Sequence, residues 1–321
     1  MKNLTIEQAI KLLSSGEVVA IPTETVYGLA ADARKSRAVK KIFKAKNRPS
    51  DNPLIVHIGY SHQVDKLAKN ISDEARLLMK HFWPGPLTLV LESNGKVSKW
   101  VTAGLDTIAL RMPAHEKTLR LLQKSKIPLA APSANLSGKP SPTCVEHVIH
   151  DLKERIPGVV NGGVCGIGIE STVIDMTAVP PVILRPGGIK KQQIEALIGG
   201  VDLADFKQTP EDISPKAPGM KYAHYAPAAE VFIVKGDFNY FKALIEKYQA
   251  DQKRVGILCR KSNRCFYKKA DMVKSLSVEG KQLYKAFRLF DDSDVDIILC
   301  EWFEDEAVMN RLMKASKENI L

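Results

Sequence analysis

Residues 87–112 read LTLVLESNGKVSKWVTAGLDTIALRM, and this stretch decides the architecture. Leu87–Leu91 and Thr107–Met112 are short apolar segments carrying β-branched residues, the pattern of strands. Nothing between them repeats at helical spacing, so the two strands follow one another directly. Consecutive parallel strands would need a crossover of a dozen or more residues, usually helical. An antiparallel component inside an otherwise alternating α/β chain follows.

Outward from this pair, strands are expected at Val18–Ile21, Leu54–Ile58, Pro128–Ala131, Ser171–Asp175 and Val182–Leu184. Helices are expected at Thr5–Ser14, Ser36–Ala45, Ser72–Phe82, Glu116–Ser125, Thr143–Arg155 and Lys191–Ile198. The first helix opens on Thr5 with Gln8 at its third position, the signature of a capping box. From Val201 to about Ala229 the periodicity fades into a proline-punctuated polar stretch. A loop that long reads as an interdomain linker or a lid. A second rhythm then begins, with strands at Glu230–Val234, Arg254–Cys259, Met272–Leu276 and Asp296–Glu301. Helices at Tyr240–Tyr248, Glu279–Leu289 and Glu306–Ser316 alternate with them, which favours a small parallel sheet. The expected division is a first domain over 1–206, a linker or lid over 207–229, and a smaller second domain over 230–321.

A chain of 321 residues with 45% hydrophobic content suits two folded domains. No apolar run has signal-peptide or membrane-spanning character, and a cytoplasmic protein without membrane contact is expected. The five cysteines form no C-x-x-C pair, so neither a zinc site nor a disulfide framework is indicated. The net charge of +11 is concentrated early: residues 1–206 hold 27 basic against 19 acidic side chains, residues 207–321 hold 20 against 17. A nucleotide or nucleic acid is the natural partner of such a domain, although a merely basic surface gives the same count.

The densest basic run is RKSRAVKKIFKAKNR, residues 34–48. Val39, Ile42 and Phe43 fall at core-facing helical spacing, which turns Lys40, Lys41 and Lys44 to water. Lys46 and Arg48 leave the helix towards Pro49, partly exposed and placed to hold an anion. Neither SANLSGKPS nor GGVCGIG has the glycine spacing of a standard phosphate loop. Polar residues gather at strand ends: PTETVYG after the first strand, Asn52 and His57 around the second, Arg111 closing TIALR, Ser133 and Asn135 after PLAAP, Ser171 and Thr172 opening STVID, and Arg185 closing VILR. Turn or cap chemistry accounts for any one of them, and His57 taken alone reads equally as a core histidine. Their shared placement suggests one pocket.

PTETVYGL (22–29), KNRPSDNPLIVHI (46–58), HFWPGPLTLVL (81–91), ALRMP (109–113), APSANLSGKPSPT (131–143), ESTVID (170–175) and LRPG (184–187) resemble the YrdC-like domain of the threonylcarbamoyl-AMP synthase family. SPKAPGMKYAHYAP (214–227) resembles the linker of its longer, two-domain branch, with Lys216 and Ala217 lengthening the usual run. The resemblance implies a mixed, twisted YrdC-like α/β domain followed by a Rossmann-like parallel one. It implies condensation of L-threonine, bicarbonate or CO2, and ATP into threonylcarbamoyl-AMP and pyrophosphate, with Mg²⁺ accompanying ATP. The product then serves threonylcarbamoyladenosine formation beside the tRNA anticodon, through hand-over to a tRNA threonylcarbamoyl transferase complex.

By motif, the resemblance puts Lys46 and Arg48 in the catalytic role and, with Asn52, on the phosphates of ATP. Thr107, Ser133, Ser141 and Arg185 complete the nucleotide side, and Tyr225 closes over it. Thr25, His57, Arg111, Ala131 and Ser171 surround threonine and its carbamate. Two rival readings stand beside it. A non-catalytic RNA-binding module would use the basic first domain on a phosphate backbone, but aromatic stacking motifs of dedicated RNA readers are missing. Carbamoyl transfer in hydrogenase maturation would call for zinc-binding cysteine pairs and further domains.

Overall fold

The computed structural model describes residues 1–204, 226–276 and 282–321. They form two compact units. The first comprises 1–137, 142–166 and 170–204; the second comprises 226–276 and 282–321, with which the short segments 138–141 and 167–169 are grouped.

In the first unit the order is β1 (Lys2–Asn3), α1 (Ile6–Ser14), β2 (Val19–Ile21), β3 (Gly28–Asp32), α2 (Ser36–Lys46), β4 (Ile55–His57), β5 (Ala68–Lys69), α3 (Asp73–Phe82), β6 (Leu87–Ser93) and α4 (Lys99–Thr102). It continues with β7 (Thr107–Arg111), α5 (Glu116–Ser125), β8 (Leu129–Ala130), α6 (Val145–Leu152), β9 (Gly158–Val159), β10 (Thr172–Asp175), β11 (Val182–Arg185), α7 (Lys191–Ile198) and β12 (Asp202–Leu203). These strands make one mixed sheet in the order β1-β9-β2-β3-β8-β4-β7-β6-β10-β11-β12, with β5 pairing β6 off that path. The antiparallel pair expected from residues 87–112 is present, with Leu89 opposite Leu110 and Leu91 opposite Ile108. A single turn of helix, α4, nevertheless interrupts the connection; Ser98 caps it by accepting the Trp100 amide.

One central strand escaped the periodicity. β3 reads GLAAD and is buried at every position, so it shows no alternation and contains none of the residues that favour strands. The capping box at Thr5 forms as its spacing predicts, with Thr5 and Gln8 exchanging backbone-to-side-chain hydrogen bonds of 2.9 and 3.2 Å. Helix α2 runs one residue further than expected, to Lys46, and stops where Asn47 turns left-handed at φ 51°.

The helices divide the sheet unevenly. On one face α2, α3, α4, α6 and α7 bury Ile42, Leu78, Val101, Leu152 and Ile194 against Val56, Leu89, Leu110 and Ile174. On the other, α1 and α5 cover only the β9-β2-β3-β8 end, with Leu13 and Leu121 against Val19, Ala30 and Leu129. Over β4, β7, β6, β10 and β11 that second face presents Ile55, Ala109, Val90, Val173 and Leu184, a cluster to which no described helix contributes.

The second unit is a four-stranded, all-parallel sheet, as its strand–helix alternation predicts: β13 (Glu230–Val234), β16 (Ile297–Glu301), β14 (Val255–Arg260), β15 (Met272–Leu276), in that spatial order. Helix α8 (Phe238–Ala250) packs Phe241 and Ile245 against Val255 and Ile257. Helix α9 (Leu283–Asp291) approaches from the opposite side, where the missing side chain of Gly256 leaves room for Phe290. Helix α10 (Glu306–Ala315) follows β16.

Candidate active site

Period-two alternation turns the helix-free part of the sheet into a polar site. His57 and Arg111 are paired across β4 and β7, and both lie two residues beyond the apolar Ile55 and Ala109, hence on the same face. The register of β6 against β7 continues to Thr88 beside Arg111, and the strand following Ser171 pairs with β6. One end of the helix-free face is therefore polar and the adjoining row is apolar.

Arg111 is buried and held at three nitrogens. Its Nε donates to the Gly85 carbonyl at 3.1 Å, Nη1 to Thr25 Oγ1 at 3.0 Å, and Nη2 to Glu24 Oε1 at 2.6 Å. A guanidinium offers five donors, so two remain for a ligand. Thr25 is fixed in turn by Thr23, whose hydroxyl lies 2.7 Å from it and also donates to the Val26 carbonyl. On the neighbouring strands, Ser171 and Thr88 hydroxyls meet at 2.8 Å, and Arg185 donates to the Ser171 carbonyl and hydroxyl at 3.0 and 3.2 Å.

A second pair of cations stands at the end of α2. Lys46 is fully buried rather than partly exposed, because its ammonium donates to the carbonyls of Ser133 and Asn135. Burial first, and then the neighbouring Arg48, push its pKa well below the ordinary lysine value. No carboxylate lies within ion-pair distance of it among the described residues. Arg48 is half-buried, as its place after the helix suggests, and reaches the Asn52 and Pro53 carbonyls at 3.4 Å.

Buried polar atoms normally find partners, so those that do not mark places built for something else. Glu24 Oε2, His57 Nδ1 and both polar side-chain atoms of Asn52 are buried and without a hydrogen-bond partner among the described residues. Burial, reinforced by Arg111, lowers the His57 pKa to about 3, so it is a neutral donor or acceptor at physiological pH.

The structure thus brings Thr25, His57 and Arg111 together, Ser171 with Arg185, Lys46 with Ser133, and Arg48 with Asn52. Ala131 directly follows β8 and lies against β4, its amide already donated to the Ile55 carbonyl at 2.9 Å. Thr107 stands apart. It opens β7 opposite Glu92, four residues and hence about 13 Å from Arg111, with Ala109 between them. Ser141 is completely buried in the short segment grouped with the second unit. Tyr225 and the lid expected over 207–229 fall on or beside 205–225, outside the described residues. Sequence reasoning passed over Glu24, Thr23 and Thr88. Two of these stood inside the quoted PTETVYG; Thr88 was hidden in an apolar strand, and its outward-facing alternate position was the available signal.

Two family profiles cover the chain. One, described as telomere recombination and embracing Sua5, YciO and YrdC proteins, matches residues 11–187. The other, described as the threonylcarbamoyl-AMP synthase C-terminal domain, matches residues 189–317. The threonylcarbamoyl-AMP synthase of Bacillus subtilis is 50% identical over 98% of this chain and 94% of its own. That of Pyrococcus abyssi is 47% identical over 98% and 95%. The crystal structure of P. abyssi Sua5 complexed with L-threonine matches with a TM-score of 0.93 at 48% identity, covering 98% of this chain and 95% of that one.

Proposed function

The chain belongs to the threonylcarbamoyl-AMP synthase family, and we propose that the helix-free face of its first unit is where L-threonine, bicarbonate and ATP are condensed to threonylcarbamoyl-AMP and pyrophosphate. The observation that carries the assignment is the gathering of partnerless buried polar atoms, on Glu24, His57 and Asn52, beside two cationic clusters. It separates naturally into a small-substrate side and a polyphosphate side.

On the first side, the two spare donors of Arg111 suit the threonine carboxylate as a fork. The unpartnered Glu24 oxygen accepts from the threonine ammonium and takes a proton as the amine becomes nucleophilic. The amine nitrogen then bonds to the carbon of bicarbonate, with loss of water, or to that of CO2, with loss of a second amine proton to solvent, and yields a carbamate. Neutral His57 and the Ser171 and Thr25 hydroxyls orient that carbamate without adding charge. Its oxygen attacks the α-phosphorus of ATP, the bond to the β-phosphate oxygen breaks, and pyrophosphate leaves. Charge on the triphosphate grows towards the leaving group, and Lys46 with Arg48 sits there to meet it; Asn52, Ser133 and Arg185 complete that side. Ala131, Ser141, Thr107 and Tyr225 keep a nucleotide or substrate role only as proposals, with Thr107 the least supported by its position.

Among the described residues no group of three His, Cys, Asp or Glu side chains is placed to cage a metal. We propose that Mg²⁺ accompanies ATP as part of the substrate, bound through phosphate oxygens and water. We propose hand-over of the adenylate to a tRNA threonylcarbamoyl transferase complex, as the family resemblance implies; direct transfer would spare a mixed anhydride that hydrolyses readily in water. No described helix is long and apolar enough to cross a membrane, and a cytoplasmic location remains our proposal.

The test is product formation by mass spectrometry with substrates omitted singly. Pyrophosphate release should require threonine and bicarbonate together; equal ATP turnover without threonine removes the assignment.

A further inference from the structure

In the second unit the sheet is parallel throughout, so β13, β14 and β16 all end on one edge. The chain leaves β14 towards β15 on one side, and leaves β16 for α10, which packs on β13 at the other side. Neighbouring strands whose continuations diverge open a crevice outside their carboxyl ends, the usual ligand position in such sheets. A cavity of about 280 Å³ lies there, lined by Lys235 and Phe238 after β13, Arg260 and Asn263 at and beyond the end of β14, and Glu301 and Trp302 at the end of β16. Every lining residue belongs to the second unit, and none belongs to the reaction site.

Glu301 builds this cavity. Its buried carboxylate accepts from the Arg260 amide at 2.7 Å, Arg260 Nε at 3.3 Å, Asn263 Nδ2 at 2.9 Å and the Tyr267 hydroxyl at 2.6 Å. Four donors saturate its oxygens and hold the turn Lys261–Tyr267 against β16. The groups left over are of three kinds. Lys235 makes no ion pair among the described residues and lies 4.2 Å above the Trp302 ring, while Arg260, half exposed, spends only Nε on Glu301. Asp237 caps α8 through Oδ1 alone, accepting the Tyr240 amide at 2.9 Å, which leaves Oδ2. Phe238 and Trp302 keep 42% and 40% of their surface exposed, and Phe238 stacks on the equally exposed Phe266 with centroids 4.2 Å apart. Large aromatic faces left open around the mouth of a cavity mark a binding groove.

We propose that this cavity binds a nucleoside monophosphate, its base against the Phe238 and Trp302 rings, its phosphate on Lys235 and Arg260, and a ribose hydroxyl donating to Asp237. Two unspent cations against one unspent carboxylate oxygen suit an anion, and open aromatic faces suit a planar base. An acidic side chain on the ribose recurs where parallel sheets bind nucleotides. The volume stands at the small end for ligand sites, which leaves no room for a dinucleotide or a polymer. The condensation needs no nucleotide besides the ATP it consumes, so this site lies beyond that reaction. On the proposed reaction, AMP is what remains of the adenylate once its threonylcarbamoyl group has been transferred, which makes it the first ligand to try.

The experiment is fluorine NMR of the full chain labelled with fluorotryptophan and titrated with AMP. The chain has three tryptophans, and Trp302→Phe identifies the reporting resonance. AMP should move the Trp302 resonance to saturation. Adenosine should need about tenfold more to do so, and AMP should need about tenfold more in Lys235→Ala, the loss of one charge-assisted contact in each case. Lys235→Arg should restore the response. Lys235 is exposed, and an unchanged thermal midpoint without nucleotide shows that both variants fold. A Trp302 resonance that AMP does not move overturns the proposal, as does an equal response to adenosine. So does an unchanged response in Lys235→Ala, which would place the AMP in the reaction site. Failure of the pyrophosphate test would leave this readout untouched.

Discussion

At the scale of single residues, the two cations of the phosphate side differ in how they are held, and this separates their variants. Lys46 is a buried ammonium satisfied only by carbonyls, so replacing it with methionine removes a desolvated charge and keeps the volume. Lys46→Met should leave the thermal midpoint unchanged or raised while turnover falls roughly 30- to 1000-fold, the cost of about 2–4 kcal/mol in a lost transition-state contact. Midpoint and turnover measured on one preparation decide it; undiminished turnover takes Lys46 out of the site. His57 yields a pH prediction. Its folded pKa, about 3, lies below the ordinary 6.5, so the unfolded chain binds the proton first. Stability contributed by its neutral form is complete above about 6.5 and is lost as pH falls towards 3. His57→Gln should flatten that acid limb in denaturant titrations; an identical limb would assign the acid sensitivity elsewhere.

At the scale of elements, the site depends on how closely the LRPG turn packs under the ESTVID strand. A Cβ placed on Gly187 would lie 2.4 Å from the Glu170 carbonyl oxygen and from the Ser171 and Thr172 backbone, none of which can yield as a side chain would. Gly187→Ala should therefore displace Ser171, weakening threonine use with a raised KM before it abolishes folding. Calorimetric threonine binding to the folded variant checks this, and unaltered affinity would mean the turn relaxes without moving the strand. The antiparallel β6–β7 pair was legible because two apolar runs carrying β-branched residues stood close together. β3 was not, because GLAAD shows no alternation and carries no β-branched or aromatic residue.

At the scale of the molecule, ligand binding and stability are linked, since whatever binds only the folded state stabilises it. Saturating ATP and threonine should each raise the thermal midpoint of the full chain, a hundredfold excess over Kd contributing about 2.7 kcal/mol. Lys46→Met should lose most of the ATP increment and keep the threonine increment. Loss of both increments together would contradict the division into a phosphate side and a threonine side. The sequence by itself determined the mixed character of the first sheet, the parallel second one, the cap at Thr5 and the candidate polar residues at the strand ends. These follow from local periodicity and from short motifs, which depend on neighbours in the chain. Only the tertiary structure decided which polar residues meet. It buried Lys46 under the Ser133 and Asn135 carbonyls, gave Arg111 the partner Glu24, and left Thr107 about 13 Å away on the same strand. Such meetings are set by strand order and register between segments far apart in sequence, where helices cover one face and stop short of the other.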